Sequence, residues 1–365
     1  MLNLFQFVMK NSLYIIFIVL CHLQAYAQIG IPDGFSLDAK RGFLFPHKYE
    51  MAHLPKELNA AIELGALWRV DGQKDWHELY NRPNLGLRFT YFSTGNEELI
   101  GNAYGLSFSA HFPLSKGRLY PSFTPQVGLG YVDKIYDVDN NPKNNALGTR
   151  LNINVSFEFG LNYKFQKNVW GLGVEFKHFS NGASKLPNLG LNWPFLNLNY
   201  QHYFTDEVPL NVDTLDYIIP LPKNWKHLGL AVFSVKDVYP LYEGLSPVYG
   251  LSYVANRRLS VRSSFDLGLD LIMNTALNRD VSEKPNFFEA LQVGTYLGYV
   301  QDIGKLDLFV GMGAYVKNAV NANNDLYHRL GARYALNEKL YAHFSIKSNW
   351  GRADYFEYGI LYKLF

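Results

Sequence analysis

From Leu151 to Phe165 the chain alternates without a break. Leu151, Ile153, Val155, Phe157, Phe159, Leu161, Tyr163 and Phe165 are apolar, and Asn152, Asn154, Ser156, Glu158, Gly160, Asn162 and Lys164 lie between them. A repeat of two is the side-chain period of a β-strand, so one face of this segment is greasy and the other wet. The pattern returns at Trp170, Leu172, Val174 and Phe176 opposite Glu175 and Lys177, and again at Leu196, Leu198 and Tyr200 opposite Asn197, Asn199 and Gln201. A soluble sandwich would turn its charges out to water. A complete apolar face backed by charges and amides instead predicts an antiparallel transmembrane β-barrel of the outer-membrane kind, with a lipid-facing exterior and a polar lumen.

The same pattern predicts sixteen strands, over 39–46, 58–69, 84–94, 103–113, 119–131, 149–165, 168–180, 194–204, 225–235, 245–255, 259–272, 287–300, 305–317, 326–335, 339–348 and 354–365. Connections after every second strand are mostly short, at 114–118, 166–167, 256–258, 301–304 and 336–338, as periplasmic turns are. The opposite set, 132–148, 181–193 and 273–286, is longer and polar, as expected of extracellular loops. Residues 70–83 and 205–224 break the rule, and the second stretch carries Pro209, Pro220 and Pro222, which suits a joint between halves 28–204 and 205–365. The simplest closure is a single barrel of about sixteen strands. The alternative is an eight-stranded barrel ending near Phe204 followed by a second assembly. The final alternating run, Phe356 to Phe365, resembles the assembly signal of outer-membrane barrels, with Lys363 departing from it.

Residues 1–27 have the form of a secretory signal peptide: Lys10, an apolar core from Leu13 to Leu20, and the small-x-small site Ala25-Tyr26-Ala27. Leu20 is too bulky for a lipobox before Cys21, the one cysteine of the chain, so the chain from Gln28 onward has neither disulfides nor thiolate metal sites. The leader takes away Lys10 alone from 34 basic residues set against 32 acids, leaving a net charge of +1 that points away from nucleic acid. Beyond the leader no run of 18 apolar residues occurs, and mean hydropathy is −0.12, too polar for a helical membrane bundle. Aromatics reach 16 %, with 26 Tyr and 26 Phe, which suits a barrel with aromatic girdles in the outer membrane.

Candidate chemistry concentrates in His178-Phe179-Ser180-Asn181-Gly182, with Asn188 and Asn192 following. Residues two apart on a strand share a face and lie about 7 Å apart along it, within reach of an imidazole–hydroxyl hydrogen bond. Pairing Ser180 with Asn192 and Phe176 with Leu196 across the next hairpin superposes the apolar faces and gathers His178, Ser180 and Asn192 on one outward patch. Serine needs a base, and the base needs a group to fix its tautomer. Ser180, His178 and Asn192 take those roles in turn. Asn181, Gly182 and Asn188 sit where amide donors would stabilise an oxyanion, each worth roughly 3–4 kcal/mol.

These residues resemble the lipid A 3-O-deacylase (PagL) and acyloxyacyl hydrolase family of outer-membrane barrels. The likeness rests on His178-Phe179-Ser180-Asn181, on Pro187-Asn188, and more loosely on the strand pattern of 39–204. It implies an esterase that removes an ester-linked acyl chain from lipid A of lipopolysaccharide, with Ser180 as nucleophile, His178 as base, Asn181 and Asn188 as oxyanion donors, and no cofactor. The chain departs at Asn192, where the family pattern has glutamate, and the resemblance gives no role to 205–365. The competing readings are a non-catalytic barrel, pore or structural, with His178 and Ser180 as rim residues, and a phospholipase or acyltransferase using the same serine.

Four further features have plainer readings. His343-Phe344-Ser345 repeats the triplet, but Leu340, Ala342, Phe344 and Ile346 form its apolar face, so His343 and Ser345 point with Lys347 into the lumen. Glu158, Lys164, Glu175 and Lys177 are ordinary lumen charges. Asp137, Asp139, Asn140 and Asn141 lack the glycine and terminal glutamate of a calcium loop and form a polar surface loop. Lys185 and Arg150 are placed to meet lipid A phosphates or to stand as solvated loop residues.

Overall fold

The computed structural model describes residues 30–206, 224–238, 244–278, 285–320, 322, 324–350 and 352–365. The leader with Cys21 and the three connector prolines lie outside these residues. All sixteen strands form: β1 Gly34–Phe43, β2 Leu58–Arg69, β3 Asn84–Ser93, β4 Asn102–Pro113, β5 Leu119–Val132, β6 Leu151–Phe165, β7 Asn168–Ser180, β8 Leu191–Tyr203, β9 Lys226–Lys236, β10 Ser246–Arg258, β11 Ser263–Asn274, β12 Leu291–Ile303, β13 Leu306–Lys317, β14 Leu326–Ala335, β15 Leu340–Asn349 and β16 Arg352–Lys363. Among the described residues no helix is long and apolar enough to cross a membrane.

The single sixteen-stranded closure is overturned. β1 pairs antiparallel with β8 and β9 with β16, so the chain closes two barrels of eight strands each. Chain contacts divide accordingly, β1–β8 in one unit and β9–β16, with the loop 181–189, in the other. The physical consequence is large. Eight strands enclose a space just wide enough for side chains to fill, whereas sixteen leave an aqueous channel.

In the first barrel the outward set includes Leu161, Leu172, Val174, Leu196 and Leu198, each more than half exposed as a lipid-facing coat must be. Asp38, Lys40, Glu63, Arg88, Glu175 and Lys177 fill the lumen and are buried. Each of these charges has a counter-charge: Lys40 Nζ lies 2.5 Å from Glu175 and 2.9 Å from Glu63, Arg88 Nη1 lies 3.1 Å from Glu63 and 3.3 Å from Asp38, and Lys177 Nζ is 3.1 Å from Glu175. Glu158 accepts from Asn197 Nδ2 at 2.8 Å. Apolar clusters lie on either side of this charged layer. Leu67, Tyr120, Val169 and Tyr203 pack at the short-turn end. At the long-loop end Phe92, Phe179, Trp193 and Phe195 meet edge to face, with the Trp193 indole N–H donating to the Thr94 carbonyl.

The second barrel repeats the plan with other residues. Arg329 pairs with Glu357 at 2.7 Å and Asp270 at 3.2 Å, and Arg333 pairs with Asp266 at 2.7 Å. Leu228, Leu230, Val232, Val254 and Leu361 form an apolar cluster within its wall. Paired, buried charges of this kind belong to a packed interior rather than to a water-filled passage.

Candidate active site

β7 ends at Ser180 and β8 begins at Leu191, joined by residues 181–190. The hairpin register differs from the expected one by two residues: His178 stands opposite Asn192 and Phe176 opposite Pro194. A shift of two keeps every side chain on its expected face, since the strand period is two. His178 and Ser180 share the outward set of β7 with Trp170, Leu172, Val174 and Phe176, and Asn192 shares that of β8 with Leu196 and Leu198. Ser180 and Asn192 are nevertheless shielded, 5 % and 6 % exposed, and His178 is half-buried. The intervening Phe179 points inward into the aromatic cluster, which fixes the end of the strand from behind. Gly130 on β5 gives that ring room, because a Cβ there would come within 2.5 Å of it.

Direct opposition shortens the key contact. His178 Nδ1 lies 2.6 Å from Asn192 Oδ1. Since an amide oxygen only accepts, Nδ1 carries the imidazole hydrogen and Nε2 keeps the lone pair. Asn192 Nδ2 lies 2.7 Å from His47 Nδ1. His47, unmarked by the sequence pattern, arrives because the chain continues past the end of β1 along β8: the Phe45 N–H donates to the Asn192 carbonyl at 2.9 Å. Phe43 and Phe45 are exposed on the outer side, and His47 follows in the same alternation. Its only sequence signal was that alternation running on one residue past the predicted strand end.

Gly190 closes the arrangement from the loop side. Its φ is +76°, and a Cβ there would meet His178 Cε1 at 2.7 Å, so the chain passes over the imidazole only as glycine. In the loop the Asn181 backbone N–H donates to Asn188 Oδ1 at 3.1 Å and Asn181 Nδ2 to the Lys185 carbonyl at 2.8 Å. Gly182 adopts φ +61° immediately after. Arg150 donates to the Tyr131 hydroxyl at 3.1 Å. Asp137 Oδ1 accepts from the backbone of Asp139 and Asn140, a local polar turn, and no cluster of metal-ligating side chains occurs among the described residues.

Sixteen antiparallel strands with apolar coats and polar interiors define the class as outer-membrane β-barrels. Family comparison goes further. Residues 60–202 match the model described as lipid A 3-O-deacylase (PagL), and residues 226–365 match that described as acyloxyacyl hydrolase, C-terminal domain. The chain belongs to this lipid A 3-O-deacylase and acyloxyacyl hydrolase family, and its second barrel, to which sequence reasoning gave no role, is the family's C-terminal domain. No curated protein matches it. Among solved structures it is similar to the outer membrane enzyme PagL, with 18 % identity, a TM-score of 0.30, and 48 % of this chain and 99 % of that one covered. Neisserial surface protein A gives 12 % identity, a TM-score of 0.34, and 47 % and 96 % coverage. A mutant Rh. blastica porin gives 10 % identity, a TM-score of 0.19, and 91 % and 98 % coverage.

Proposed function

We propose that the protein is an outer-membrane esterase that removes an ester-linked acyl chain from lipid A, with Ser180 as nucleophile, His178 as general base and Asn192 as the group that orients the base. The observation that carries this reading is the bond from His178 Nδ1 to Asn192 Oδ1, because it leaves Nε2 as the proton acceptor. A histidine and a serine two apart on a strand can make the required contact: in the second barrel His343 Nε2 and Ser345 Oγ are 3.0 Å apart at the same spacing. The family match to residues 60–202 supports the substrate class.

In the reaction Ser180 Oγ adds to the ester carbonyl as its proton passes to His178 Nε2. The tetrahedral oxyanion collapses, the sugar hydroxyl leaves with that proton, and an acyl-serine remains. Water, deprotonated by the same imidazole, then releases the fatty acid and restores Ser180. We assign stabilisation of the oxyanion to the turn of Asn181, Gly182 and Asn188, in which Asn181, its donors engaged by Asn188 Oδ1 and the Lys185 carbonyl, holds the loop while Gly182 N–H and the Asn188 amide face the oxyanion in this reading. In this reading the reaction runs on the lipid side of the wall, where acyl chains lie, in keeping with the outward parity of His178, Ser180 and Asn192, and its steps call on no cofactor. Mass spectrometry of lipid A from cells expressing the wild type should show loss of one acyl chain, and cells expressing Ser180→Ala should show none. Identical spectra would refute the proposal.

A further inference from the structure

We infer that His47 is a positioning residue that decides which way round the Asn192 amide lies, and through it which nitrogen of His178 carries the hydrogen; the inference rests on the esterase reading above. A carboxylate presents the same atom to an imidazole whichever way it turns. An amide does not. If Asn192 turned its Nδ2–H toward His178 Nδ1, that nitrogen would have to accept, and the imidazole hydrogen would move to Nε2, the atom that must receive the proton of Ser180. In serine–histidine–acid triads, replacing the acid by an amide costs about 10⁴-fold in kcat for this reason. A chain that carries asparagine here therefore needs a second contact that tells the two ends of the amide apart.

His47 makes that contact. Its Nδ1 sits 2.7 Å from Asn192 Nδ2, where a neutral imidazole with its hydrogen on Nε2 accepts an N–H and would face an amide oxygen unfavourably. The opposite end of the amide is already within 2.6 Å of His178 Nδ1. The placement is built into the barrel. β1 pairs with β8 through Arg41 opposite Leu196 and Gly42 opposite Phe195, and the Phe45 N–H to Asn192 carbonyl bond continues the same register. Main chain and side chain of Asn192 are thus both tied to the run of chain that ends in His47. His47, Asn192 and His178 form one row across three neighbouring segments on the outer wall, with Gly190 against the far imidazole.

The discriminating variant is Asn192→Asp, which keeps size and removes the asymmetry. Deacylation of purified lipid A is measured with the full chain in micelles for the wild type, His47→Ala, Asn192→Asp and the double variant. With asparagine at 192, His47→Ala is expected to lower kcat about 10- to 100-fold with KM unchanged. With aspartate at 192, the same change is expected to cost less than about threefold. Equal losses in both backgrounds, or none in either, overturn the proposal. Imidazole ¹⁵N NMR at a pH where histidine is neutral provides an independent readout: His178 should be the Nδ1–H tautomer in the wild type and gain Nε2–H tautomer in His47→Ala. If the tautomer moves but no variant deacylates lipid A, the positioning role stands and the esterase reading falls. A tautomer that does not move refutes the positioning role whatever the activity.

Discussion

The chain holds the triplet His-Phe-Ser twice, at the end of β7 and within β15, and the two copies have opposite fates. On β7 the histidine and serine take the outward parity and Phe179 packs inward against Phe92 and Trp193. On β15 Phe344 faces out beside Phe356 and Tyr358, while His343 and Ser345 are buried in the lumen. The buried copy has a serine–histidine contact of 3.0 Å and a carboxylate nearby. That carboxylate is attached to the wrong partner: Ser345 Oγ donates to Glu357 Oε2 at 2.6 Å, and Glu357 is itself gripped by Arg329 through two bonds of 2.7 and 3.0 Å. His343 Nδ1 finds no hydrogen-bond acceptor among the described residues. Identical triplets thus become a lumen brace in one wall and a candidate catalytic pair in the other. What separates them is the group on Nδ1, supplied by Asn192 from the adjoining strand.

The sharpest way to break this contrast is to remove each histidine in turn. His178→Ala is expected to lower the initial rate on purified lipid A by about 10⁴-fold or more, while His343→Ala leaves the rate of the folded protein within about twofold. Comparable losses from both would erase the distinction. The brace can be tested next. Glu357→Gln leaves Arg329 buried without its closer counter-charge and should destabilise the second barrel by about 3–5 kcal/mol, read as a lower urea midpoint of its unfolding. A change below about 1 kcal/mol would mean that the pair contributes little there. The smallest effect is expected from Gly190→Ala, which asks an L-residue to adopt positive φ at about 1–2 kcal/mol and pushes a methyl toward His178. Its rate should fall about tenfold with stability lowered by no more than that strain of about 1–2 kcal/mol; an unaltered rate would remove Gly190 from the site.

Much of this was legible from alternation alone. The bounds 58–69, 168–180 and 326–335 agree with β2, β7 and β14 residue for residue, because period-two patterning and burial report the same physical fact. β12 starts late because Asn286-Phe287-Phe288-Glu289 forms a capping box and a short helix over Phe287–Ala290 in place of the first strand residues. Closure was not legible. Every strand alternates identically in a barrel of sixteen or of eight, and the choice resides in the pairing of β1 with β8, far apart in sequence. The shared outward face of His178, Ser180 and Asn192 could be read through parity, which survived the two-residue error in register, but the direct opposition of His178 and Asn192 could not. The contact of His47 with Asn192 was invisible for the same reason as closure. His47 reaches Asn192 only across the seam.

That seam has a consequence for when the proposed chemistry becomes possible. The bond from Phe45 to Asn192 and the contact from His47 to the same residue both span the join between the first and last strands of the first ring. On the proposed reading, a polypeptide still threading through the periplasm or half inserted lacks its amide lock, and its histidine has no fixed tautomer. Hydrolytic competence then arises only with the zipping of the cylinder.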